Sequence, residues 1–105
     1  MSNRKIEKFT KSGKIDKLVG IADGKDIDLS KEAIAALATI RKDESFNYLV
    51  VNLRNSKKEI RLAAIKALGE IGYPRGRTHL AHIIDTDSDN EIIEAAREAA
   101  LKLMD

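Results

Sequence analysis

The best-formed apolar stripe in the chain is Ile60, Ala63, Ala64, Ala67, Leu68 and Ile71, at i, i+3, i+4, i+7, i+8 and i+11. That spacing puts every member on one face of an α-helix. The preceding segment repeats it with Phe46, Leu49, Val50 and Leu53, and Asn55-Ser56 between the two offers N-cap chemistry for the second helix. Gly72 followed by Pro74 ends that helix, because glycine readily turns left-handed past a C-terminus and proline cannot continue the ladder. The same pattern predicts helices near 4–11, 15–22, 29–41, 44–54, 57–71, 76–85 and 89–104. No stretch alternates as a half-buried strand does, so the predicted class is all-α.

The stripes recur. Ala67-Leu68-Gly69-Glu70-Ile71 aligns with Ala36-Leu37-Ala38-Thr39-Ile40 before it, at an offset of 31, and with Ala100-Leu101-Lys102-Leu103-Met104 after it, at an offset of 33. Leu18, Leu49 and Leu80 follow one another at the same offset of 31, trailed by Ala22, Leu53 and Ile84. One further period back from Leu37 and Ile40 lie Ile6 and Phe9, so the N-terminal stretch reads as the tail of a truncated repeat. A fixed period of this length marks an array in which one helical hairpin stacks on copies of itself. The expectation is one domain over 1–105: a truncated repeat at 4–13, then hairpins at about 14–42, 43–73 and 74–105, with inner turns at Ser30, Ser56 and Asp87 to Asp89. In the middle unit Leu62, Ile65 and Gly69 supply a second apolar stripe for neighbouring units. The last unit has Ala95, Glu98 and Lys102 in those places and Arg97 for Ala64, so its final helix is expected to be wet outside and the array complete.

Composition narrows the picture. A chain of 105 residues is the size of one small domain. Two Phe, two Tyr and no Trp within 43% hydrophobic residues leave a core of small aliphatics, which suits close-packed helices. With no Cys there is no disulfide, no thiolate metal site and no cysteine nucleophile, and the default address is cytoplasmic. No apolar run approaches the roughly 20 residues of a membrane span, and Ser2 to Lys14 lacks the apolar segment of a secretory signal. The net charge of +2 is unevenly spread: residues 1–31 hold eight Lys or Arg against five Asp or Glu, whereas 73–105 hold four against seven.

Ile60-Arg61-Leu62-Ala63-Ala64-Ile65-Lys66-Ala67-Leu68-Gly69-Glu70-Ile71-Gly72 followed by Pro74 resembles the signature of the short HEAT-like repeats named after phycobilisome lyases. The periodic resemblance runs over roughly 4–104, with Ser30 and Glu94 standing where Arg61 sits. It implies a right-handed α-α superhelix, a HEAT-like solenoid of about three helical hairpins plus a short N-terminal helix, with second helices lining the concave side. It further implies a scaffold for protein recognition, with only a few members acting on a bilin or a modified lysine. The iron-holding members use repeated His-Glu dipeptides, and here Leu80 follows His79 and Ile83 follows His82. The resemblance also gives Arg61 a structural role, tying its helix to an acidic turn of a neighbouring repeat, for which Asp28 and Asp87 to Asp89 are available.

Candidate chemistry is sparse. His79, His82 and Asp85 share a helix at i, i+3 and i+6, yet Leu80, Ile83 and Ile84 make its apolar face and no neighbouring helix supplies a clear third ligand. Asp85 to Asn90 begins like a calcium loop but has Ala96 where the bidentate Glu belongs, so its carboxylates read as helix caps. Tyr48 and Tyr73 read as packing residues rather than anchors. No cofactor and no metal is expected, and no catalytic group, so the chain reads as a non-enzyme. The leading expectation is a protein partner held on the concave face by Lys31, Ala35, Thr39, Lys58, Lys66, Glu70, Arg97 and Lys102. The alternative is a nucleic acid or other polyanion on the basic run Arg4, Lys5, Lys8, Lys11, Lys14 and Lys17. No membrane partner is expected.

Overall fold

The computed structural model describes residues 3–104. Among these, seven helices follow one another: α1 (Arg4–Lys11), α2 (Ile15–Ala22), α3 (Ile27–Leu37), α4 (Asp43–Asn52), α5 (Lys58–Ile71), α6 (Gly76–Thr86) and α7 (Asn90–Lys102). Among the described residues there is no strand. Starts and stops follow local chemistry. Asn3 caps α1 by accepting from the backbone N–H groups of Lys5 and Ile6, Asp26 caps α3 through Leu29, and Asp89 caps α7 through Glu91 and Ile92. Gly72, at φ 77°, closes α5 in the left-handed conformation that disfavours any residue with a Cβ.

Two features of the hairpin turns differ from expectation. Asp26, not Ser30, marks the start of α3, so Ser30 falls inside the helix, buried, with Oγ donating to the Gly24 carbonyl at 3.3 Å. Lys57 occupies the N-cap of α5 with no side-chain cap, while Asn55 Oδ1 accepts from the Lys57 N–H and closes the turn before it.

The helices form two layers. The second helices α3, α5 and α7 pack side by side with α1 beside α3, and the first helices α2, α4 and α6 lie against them. Leu18, Leu49 and Leu80, one per first helix, are fully buried between the layers with Ile34, Leu37, Ile65, Leu68 and Ile92. Each such aliphatic side chain contributes about 1.5–3 kcal/mol by leaving water. The two layers are not equally tight. At Gly69 an added Cβ would lie 3.0 Å from Ala99 Cα, so α5 and α7 touch nearly backbone to backbone. Between α4 and α6, by contrast, an opening of about 1150 Å³ remains, lined by residues such as Tyr48, Val51 and His82. A stack closer on one side than the other curves toward the tight side, which makes the second helices the inner layer of an α-α superhelix.

The last unit sits one position off the alignment drawn from its Ala-Leu pair. Its N-cap Asp89 and its buried Ile92, Ala96, Ala99 and Leu103 match Lys57, Ile60, Ala64, Ala67 and Ile71 at an offset of 32, not 33. Arg97 therefore stands in the place of Ile65, and Leu101 in that of Gly69. Leu101 on α7 is 66% exposed, beside the exposed Arg97 of the same helix, so its outer side is partly apolar rather than wet throughout as expected. Leu62, expected to face a neighbouring unit, is half-buried on the inner face instead.

Candidate functional site

The inner face carries two grooves, one on each side of α5. The larger, of about 530 Å³, lies between α3 and α5. Its floor is built from Ala35, Ala38, Leu62, Ala63 and Ala67, and its rim from Lys31, Thr39, Glu59, Lys66 and Glu70. The smaller, about 280 Å³, lies between α5 and α7, with Leu62 and Lys66 on one wall and Ala95, Glu98, Ala99 and Lys102 on the other. Helical spacing produces this pattern: Lys31 and Ala35 are one turn apart on α3, as Leu62, Lys66 and Glu70 are on α5, so each helix offers one row of side chains. Alanine keeps the floor low while leaving apolar carbon open to solvent.

Of the eight residues expected on the concave face, Lys31, Ala35, Thr39, Lys66 and Glu70 line the larger groove, and Lys102 lines the smaller. Lys58 lines neither. Its ammonium bridges to α7, 2.8 Å from both Asp89 and Glu91. Arg97 also lines neither groove and pairs with Glu94 at 3.7 Å on its own helix. The floor residues Ala63 and Ala67 went unrecognised as site residues because their spacing is that of the core stripe, and Leu62 because it belongs to the stripe expected to face a neighbouring unit. Only their half-exposure separates Leu62 and Ala63 from true core, and exposure is not written in the spacing.

Charge pairs across the inner layer fix the grooves. Lys102 donates to Glu70 and holds its carboxyl below the ordinary value of 4.5. Lys58 does the same for Asp89, whose carboxylate in turn raises the Lys58 ammonium. The tie expected from Arg61 takes a different course. Its guanidinium donates to the carbonyls of Asn55 and Ser56 at 2.9 and 3.2 Å, which braces the turn of its own hairpin rather than reaching Asp28 or the acidic turn of the next unit. Asp28 sits exposed in the first turn of α3, and Asp87 accepts from the Asp89 N–H. The cation that does reach the acidic turn is Lys58.

The remaining candidates have structural settings. His79 packs its ring 6.1 Å from that of Phe46, and His82 is exposed beside the opening between α4 and α6. Among the described residues no group of three or more His, Asp or Glu side chains is placed to hold a metal ion. Tyr48 donates to Asp23, tying α4 to the end of α2; burial and that carboxylate push its phenol well above the ordinary value of 10.0. Tyr73 lies between the guanidinium groups of Arg41 and Arg75, at 4.8 and 4.9 Å from its ring centre. The six basic residues of the N-terminal run are all exposed and are spread over α1 and the start of α2. Arg4, Lys8 and Lys11 share a shallow face of α1, Lys5 lies beside Ile21 and Leu29 with Arg4, and Lys14 and Lys17 belong to the start of α2.

A family model described as HEAT repeats matches residues 15–101. No curated protein matches the chain. No helix among the described residues is long and apolar enough to cross a membrane.

Proposed function

Because the chain belongs to the HEAT-repeat family, whose members are commonly scaffolds for protein interaction, we propose that it is a non-enzymatic recognition module that holds a protein partner on its inner face. The observation that carries this reading is the larger groove, with its open alanine and leucine floor and its charged rim. A floor of short side chains between two helices suits an apolar ridge from another protein, which can settle between α3 and α5 as a helix does between ridges. Lys31 and Lys66 on the rim meet carboxylates of such a segment, and Glu59 meets a cation. Glu70 is already engaged by Lys102, so it steers the partner less than it shapes the groove. The motif from Ile60 to Gly72 supports placing the chain with the short repeats named after phycobilisome lyases, and the cysteine-free composition supports a cytoplasmic setting. Under this reading the chain is one recognition domain, with the repeats at about 14–42, 43–73 and 74–105 as its units.

Ala35→Arg, at an exposed position, and Leu62→Glu, at a half-buried one, fill the groove floor with charge, and a circular dichroism melt checks that each variant is folded. A partner captured by the native chain, identified by mass spectrometry and then titrated as a purified protein, should bind either variant at least tenfold more weakly. Equal affinity for the native chain and both variants would overturn the reading.

A further inference from the structure

We infer that the edge of the stack where successive hairpins join is a second binding surface, one that takes the phosphate backbone of duplex nucleic acid without reading its sequence. At this edge each second helix ends and the next first helix begins. The first junction carries Lys11, Lys14 and Lys17, the second Arg41 and Lys42, the third Arg75 and Arg77, all exposed. Against these seven cations stand Asp16, Asp43 and Glu44, and Asp43 is paired with Arg75 at 2.7 Å. The opposite edge, made of the turns inside the hairpins at 23–28, 54–59 and 85–91, holds eight carboxylates and four cations, with seven of the carboxylates in its two outer turns and three of the cations, Arg54, Lys57 and Lys58, in its middle one. Folding thus gathers on the junction edge cations that are interspersed along the chain.

Side-chain bonds bring the second and third junctions side by side. Arg41 donates to the Ile71 carbonyl at 2.9 Å, and Arg75 reaches back to Asp43. Neighbouring helices in a layer lie about 8–10 Å apart, so the three junctions form a row on the order of 20 Å long. Part of this charge has a local reason, since Lys11 and Arg41 lie at or beyond the negative ends of α1 and α3. Arg75 is held by Asp43 and by the Phe46 and Tyr73 rings. Lys14 and Lys42 have no such partner: they occupy the N-caps of α2 and α4, where a cation opposes the helix dipole, and neither cap carries a side-chain hydrogen bond. Helix capping does not account for these two cations, and an anion along the row gives them a counter-charge.

The kind of anion follows from what else the edge offers. Tyr73 is enclosed between Arg41 and Arg75, and the Phe46 ring lies under Arg75 at 4.3 Å, so neither ring is free to stack on a base. A row of cations without stacking rings or a base-reading element suits the regular phosphates of a duplex better than a single strand, whose unstacked bases want aromatic platforms. This surface excludes Arg4, Lys5 and Lys8 of the N-terminal run and adds four cations that are remote from it in sequence.

The test is a titration of the native chain against a labelled DNA duplex at low and moderate salt, beside a Lys14→Ala, Lys17→Ala, Lys42→Ala, Arg77→Ala variant. These four side chains hold no other element in place, and a circular dichroism melt checks the fold of each protein. Native binding should weaken steeply with salt, and the variant should flatten the slope of log K against log salt by about 0.9 for each phosphate no longer neutralised, roughly 3 to 4 in all. A Lys25→Ala, Arg54→Ala, Lys57→Ala variant of the opposite edge should bind as the native chain does. So should Leu62→Glu, which separates this surface from the inner groove. Absence of duplex binding at low salt overturns the inference, as does an equal weakening by the opposite-edge variant. Tighter binding of polyglutamate, of single-stranded DNA or of phosphatidylserine vesicles than of the duplex also overturns it, by assigning the edge to an acidic protein, an unpaired strand or a membrane surface.

Discussion

At the scale of single residues, the seam between α5 and α7 depends on side chains that are absent or small. Gly69→Ala gains helix propensity of about 0.5–1 kcal/mol but places a Cβ 3.0 Å from Ala99 Cα, a backbone atom that cannot swing aside. Overpacking of this kind costs about 1–3 kcal/mol, so the net change is destabilising. Ala64→Leu, at a position with no exposure, should cost a similar amount. Thermal unfolding checks both. For a domain of this size about 1 kcal/mol moves the midpoint by roughly 4–8 °C, and midpoints equal to the native one would show the seam to be loose. Leu101, at the equivalent place in α7, fits because no described helix packs on that side.

At the scale of elements, each helix start has a visible cause or a visible lack of one. Asp26→Ala removes the side-chain cap of α3 and should cost about 0.5–2 kcal/mol, with Asp26→Asn restoring most of it, as read by chemical denaturation. Ties between units add a dependence on pH whose sign follows from the shifts. Glu70 and Asp89 are held below their ordinary values, so their contribution is complete above pH 4.5 and is lost as the pH falls through the folded values. Tyr48 is shifted upward, so its contribution is complete below its ordinary 10.0 and is lost as the pH rises through the higher folded value. The unfolding midpoint should therefore stay level across the neutral range and fall at both ends. In Tyr48→Phe the part of the alkaline fall due to this phenol should vanish, and an unchanged alkaline limb would remove Tyr48 as a cause.

At the scale of the molecule, 37 × 29 × 22 Å overall, the curved stack separates surfaces of different character. The inner face is an apolar groove with a mixed rim, one edge is basic, and the opposite edge carries its carboxylates in its two outer turns. Loading one surface need not disturb another. A partner in the inner groove should leave duplex affinity unchanged, and competition between them in a mixed titration would show that the two sites overlap.

The bounds of α1 and α2 were legible in the sequence, and those of α5 and α6 to within one position, because apolar spacing, a glycine stop and a proline are local signals. The start of α3 was not, because Ser30 is short enough to be buried and its hydroxyl finds a carbonyl only once the hairpin closes. The register of α7 was ambiguous for a related reason: Ala95, Ala96, Ala99 and Ala100 offer two nearly equal stripes one position apart, and the contact with Gly69 selects between them. The all-α class, the repeat and most of the rim of the inner groove follow from the chain alone, since helical period and hairpin stacking are set by neighbours along it. That Lys58 bridges to the acidic turn while Arg61 stays within its own hairpin emerges once the helices pack. Packing also gathers Lys14, Arg41 and Arg75 on one edge, because charges a whole repeat apart in the chain become neighbours only when helices of fixed length bring every junction to the same side.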